Sequence, residues 1–76
     1  MIPHLIEWID ACHFDDERNI SSEEFHCVII QTVGFLIDKN ETEVSIAMDS
    51  IPDKDRVRNI TVIPIACIQK MVELKA

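Results

Sequence analysis

The chain reads as a single all-β domain of five short strands. Two β-rich runs flank a charged break, a third β-branched run follows them, and stretches of turn chemistry separate all three. The central pair organises the rest. Residues 28–37 and 44–51 are the two runs, and residues 38–42 (Asp-Lys-Asn-Glu-Thr) hold no apolar side chain and an Asn suited to positive φ, so segment 26–51 predicts a β-hairpin. In the second run Val44, Ile46 and Met48 alternate with Ser45, Ala47 and Asp49, the pattern of a half-buried strand. The first run does not alternate. Val28, Ile30 and Leu36 share one parity while Ile29, Val33, Phe35 and Ile37 share the other, which predicts a strand covered on both faces. Gly34 lies inside it, where a bend or bulge would let one strand serve two sheets.

In residues 1–12, MIPHLIEWIDAC, the helical spacing of Leu5, Ile9 and Cys12 competes with the β-formers of Ile-Glu-Trp-Ile. A strand is preferred because everything downstream is β-rich, and a helix is its rival. Residues 13–24 are polar and dense in charge, a long surface loop anchored by Phe14 and Ile20. Within it, Ser21-Ser22-Glu23-Glu24 suits a short helical turn, since a Ser cap followed by acids complements the helix dipole. Residues 52–56 form a turn, and 57–65 a third strand that should end at or just before Pro64, which removes a ladder donor. Ala66 and Cys67 make a tight turn. The last segment puts Ile68, Val72 and Leu74 on one parity and reads as a short closing strand, with a helix on Ile65, Ile68, Met71 and Val72 as the rival.

At 76 residues the hydrophobic gain barely offsets conformational entropy, so reinforcement is expected. Three cysteines, Cys12, Cys27 and Cys67, fit a disulfide framework poorly, which leaves self-association as the preferred device. The apolar fraction is 47%, yet no run approaches the roughly 20 apolar residues of a membrane helix. Glu7 and Asp10 break the first apolar run and no basic region precedes it, so neither a signal peptide nor a membrane partner is expected, and a reducing cytoplasm is. A net charge of −7 opposes the counterion release that drives binding along nucleic acid, so no long nucleic acid is expected as partner. A small anionic ligand needs only a few local cations and stays open.

Few residues point to chemistry. Cys12-His13 and His26-Cys27 form a mirrored pair, but adjacent strand residues face opposite ways, so the pairs with His4 and Cys67 make no convincing zinc set. A thiol nucleophile at Cys12, Cys27 or Cys67 lacks the Gly-rich setting that commonly builds an oxyanion hole. Asp15-Asp16-Glu17 with Glu23-Glu24 matches no calcium-loop spacing and reads as a solvated loop. No catalytic residue, metal or cofactor is expected. Trp8 reads first as a core residue and second as a binding hot spot. Lys54, Arg56 and Arg58 gather near one loop; Arg56 and Arg58 share a parity suited to phosphate or carboxylate, or they neutralise Asp49, Asp53 and Asp55. Trp8, Arg56 and Arg58 are the candidate ligand-binding residues.

The order of strand, long loop, bent strand, hairpin, strand, loop, strand and Pro-containing turn to a closing strand resembles the small five-stranded barrels of the SH3-like and Sm-like type. The chain departs from both families in function. It has no Tyr, one Trp and three Phe where an SH3 domain needs an aromatic shelf, and it lacks the basic charge with which Sm proteins hold RNA. The Sm habit of assembling through sheet edges is the property that the resemblance retains. The segments Glu7-Trp8-Ile9-Asp10-Ala11, Thr32-Val33-Gly34-Phe35-Leu36-Ile37 and Ile63-Pro64-Ile65-Ala66-Cys67-Ile68 are also similar to small accessory proteins of tailed bacteriophages. That resemblance implies a non-enzymatic phage protein in the host cytoplasm that blocks a host factor or a defence pathway. An oligomeric sponge for a small nucleotide-like anion and a structural ring of the phage particle are the alternatives.

Overall fold

The computed structural model describes residues 1–11, 17 and 26–75. The helical turn expected at Ser21-Ser22-Glu23-Glu24 lies outside them. The described residues form an all-β fold: β1 (Pro3–Asp10), β2 (Val28–Lys39), β3 (Glu43–Ile51), β4 (Arg56–Pro64) and β5 (Ile68–Glu73). They make one antiparallel sheet in the order β4-β3-β2-β1-β5. Both uncertain segments are strands, as preferred. Pro64 ends β4, and Ile65–Cys67 passes the chain to β5 as a single 3-10 turn.

The hairpin between β2 and β3 is built by a side chain. Asn40 Oδ1 accepts from the amides of Thr42 and Glu43, each at 2.9 Å, and from the Thr42 hydroxyl, while the Asn40 amide donates to the Glu43 carbonyl. Asn40 therefore serves as an Asx-turn acceptor and does not use the positive φ that its position in the break suggested. The Ile65 amide donates to the Thr42 carbonyl, which ties this turn to the end of β4.

β2 serves two groups of strands. Residues from Val28 to Phe35 pair with β1, and from Phe35 onward the strand pairs with β3, with a bulge between Leu36 and Asp38. Beyond Ala47, β3 pairs with β4 alone. Two arms thus diverge from one junction: β2-β1-β5 on one side, and the β3-β4 hairpin on the other. At the junction, a Cβ built on Gly34 would lie 2.6 Å from the Ala47 carbonyl oxygen and 2.9 Å from Ile46 Cγ1. Only glycine allows that approach.

The inner faces of both arms meet on one core. Ile6, Val44, Ile46 and Ile63 are fully buried, with Trp8, Leu36, Ile65, Ile68 and Met71 packed against them. Ile63 comes from one edge strand and Ile68 and Met71 from the other, so the sheet is curled. Among the described residues β4 and β5 do not pair, and the curl is open along that seam. The radius of gyration is 15.8 Å, where a compact chain of this length has about 11 Å. Two expectations about coverage change. Val28, Ile29 and Val33 are exposed, so the described residues do not cover β2 on both faces, and Met48 lies past the junction, beyond the described pairing with β2, and is 59% exposed.

Replacing Gly34 by Ala should lower unfolding stability by about 2–3 kcal/mol, because backbone must move to admit one methyl group. Urea titration reads this directly, and an unchanged midpoint would show that the two arms are not locked at this crossing.

Candidate functional site

The three candidate binding residues fall on different arms. Trp8 faces the inside of β1, opposite Ile30 of β2 and Ile68 of β5. Its ring packs against the core and its Nε1 donates to Thr32 Oγ1 at 3.0 Å, so both the apolar body and the polar tip of the indole are engaged. The core role, weighed first from the sequence, is the one described. Arg56 and Arg58 sit on β4 opposite Ile51 and Asp49, in the part of the hairpin beyond Ala47. Trp8 lies before Phe35 in the ladder and the arginines lie after Ala47, so a single chain does not bring the three together.

The β3-β4 arm carries its own cluster. Asp49 Oδ2 accepts from Arg58 Nε at 3.0 Å and from Asn59 Nδ2 at 2.6 Å. Arg58 thereby neutralises Asp49, one of the two roles foreseen for it. With the guanidinium side chain 69% exposed, this pair contributes at most about 1 kcal/mol. Asn59 is the residue that the sequence reading passed over. Its φ is 57°, a left-handed residue in mid-strand, although the β3-β4 register continues across it. Asn tolerates that conformation better than the β-branched residues around it, and the hydrogen bond to Asp49 holds it there. The available signal was an Asn within a run otherwise rich in β-branched residues.

The adjoining loop turns sharply. Pro52–Lys54 is a 3-10 turn closed by Asp55, whose φ is 51° and whose amide donates to the Pro52 carbonyl at 3.1 Å. Beside it is an open cleft of about 340 Å³, lined by Met1, Ser50, Ile51, Pro52, Asp55, Arg56 and Val57. Its volume is at the lower end for a small-molecule site. Asp55 offsets the charge of Arg56, so the cleft has no strong preference for an anion.

Among the described residues no three His, Cys, Asp or Glu side chains gather as metal ligands. His4 is in the interior with its Nδ1 3.0 Å from the Ile2 carbonyl oxygen, and Cys27 is exposed. Cys12, His13 and the acids Asp15, Asp16, Glu23 and Glu24 lie outside the described residues. Among the described residues no helix is long and apolar enough to cross a membrane.

No protein-family model matches this chain, and no curated protein or solved structure is significantly similar to it.

Asn59→Val should destabilise the protein by about 1–2 kcal/mol, because the left-handed φ penalises a branched residue despite its β propensity. A chemical-denaturation series including Asn59→Gly checks this; a stabilised Val variant would show that the kink is not an intrinsic demand of the arm.

Proposed function

We propose that this chain is a non-enzymatic binding module that acts as a homo-oligomer and blocks or sequesters a partner, in the manner of a phage accessory protein in the host cytoplasm. The observation that supports it most is how the chain distributes its apolar residues. Among the described residues four large side chains are fully buried, whereas ten large hydrophobic residues are exposed, Val33, Ile60, Val62 and Val72 included. A small domain gains stability only by removing such surface from water, at about 25 cal/mol per Å². Left alone, this chain leaves much of that gain unused.

The shape supports the same reading. The surface is 6062 Å², where a monomer of 8.7 kDa exposes about 4,700 Å². Among the described residues β4 and β5 are the two edges of the sheet, where backbone groups can pair with another chain. Less supports an oligomeric anion sponge: Trp8 is engaged in the core, Arg58 holds Asp49, and Arg56 alone of the three lines the cleft. A particle ring would use the same edges, and nothing in the site favours it over a soluble assembly.

Native mass spectrometry of protein purified from cells should give whole multiples of the 8.7 kDa chain without retained small-molecule mass. A host protein held at fixed stoichiometry would then identify the target. A retained mass at every site would replace this reading with the ligand sponge.

A further inference from the structure

We infer that the outer face of the β2-β1-β5 arm is an interface with a second copy of this chain, packed sheet against sheet about a two-fold axis. The inference rests on the self-association proposed above and names its surface. Paired residues on neighbouring strands share a face, so the register spells out what this face presents. Val33, Leu5 and Val72 form one row across the three strands. Phe35, Pro3 and Leu74 form the next, since Phe35 pairs with Pro3 and the Leu74 amide donates to the Pro3 carbonyl. Both rows are wholly apolar. Val33 is 51% exposed and Val72 and Leu74 are each 36% exposed, while Leu5, Pro3 and Phe35 are partly buried. A contiguous apolar block of this kind marks an interface rather than an ordinary surface.

Three observations make the occupant a second copy. The first is area: the excess of the 6062 Å² surface over that of a typical monomer is larger than the roughly 800 Å² each partner contributes to a standard interface. The second is charge. The chain carries −7, so a sister copy is repelled by most of its surface. The row bordering the apolar block is Gln31, Glu7 and Lys70, which holds one acid and one base and is neutral. Gln31 Nε2 donates to Glu7 Oε2 at 3.1 Å and fixes that carboxylate in place. A two-fold axis parallel to the strands, between β1 and β5, sets Leu5 of one copy against Val72 of the other, Pro3 against Leu74 and Glu7 against Lys70, with Val33 and Phe35 of β2 at the rim of the overlap. The face is thus complementary to itself in both shape class and charge. The third is supply: with four large side chains fully buried among the described residues, added burial favours the folded chain, and its own copies are present whenever it is made.

Sedimentation velocity across a concentration series tests the surface. The wild-type chain should sediment as a dimer. Val72→Glu with Leu74→Glu should weaken the dimer at least about a hundredfold, since buried uncompensated charge disfavours association by that order, while far-UV circular dichroism keeps its β signature. Lys70→Glu guards against a variant that merely unfolds. It should weaken the dimer by placing like charges together, and Glu7→Lys with Lys70→Glu should restore it. A folded dimer of unchanged affinity in both Val72→Glu/Leu74→Glu and Lys70→Glu overturns this interface while leaving self-association through the sheet edges standing. A wild-type chain that stays monomeric at every concentration overturns both.

Discussion

The Ala47 carbonyl oxygen stands 2.6 Å from the place a Cβ on Gly34 would occupy, and that close crossing governs the rest of the molecule. It is where β2 changes partners, from β1 before Phe35 to β3 after it. One strand can then serve both arms, and both arms can turn their inner faces onto Ile6, Ile46 and Ile63. A side chain at Gly34 would force the strands apart at the one place where the fold has least room. The elongated shape follows from the same crossing, because each arm runs past it without a third layer behind.

That geometry yields a small interior and a large apolar exterior. The outer rows Val33-Leu5-Val72 and Phe35-Pro3-Leu74 have the composition of a sandwich core with one sheet missing. A second copy would supply that sheet at the cost of no additional chain length. The β3-β4 arm differs in character. Val44, Ile46 and Ile63 at its base are fully buried, whereas beyond Ala47 the cluster at Asp49, Arg58 and Asn59 and the left-handed residue Asp55 hold its backbone by local hydrogen bonds. An assembly of this form would leave that arm projecting and available to a target.

Much of this was legible in the sequence because strands and turns carry local chemistry. The hairpin, the order of five strands and the end of β4 at Pro64 all follow from β-branched runs and their breaks. Gly34 inside a strand predicts a bend or bulge by which one strand serves two sheets; the described residues form one sheet, the irregularity in β2 falls between Leu36 and Asp38, and Gly34 marks the close approach to Ala47 instead. What was not legible depends on contacts between distant residues. The two-sided apolar pattern of residues 28–37 implied cover on both faces, but parity cannot say whether the cover comes from the same chain. Trp8 and the arginines share no sequence signal that would place them on separate arms; only the ladder register does so. The left-handed φ of Asn59 was not legible because an Asn in a β-branched run only permits it, and its hydrogen-bond partner Asp49 lies ten positions away.

The central claim is that folding of this chain is completed by a copy of itself, and the dependence of thermal stability on protein concentration tests it most directly. When folding and association are one equilibrium, each tenfold rise in concentration stabilises the dimer by about 1.4 kcal/mol and raises the Tm by about 4 °C for two chains of this length. The account predicts that slope. A Tm independent of concentration over two or more decades would contradict it and would show that the exposed apolar rows are tolerated by a stable monomer.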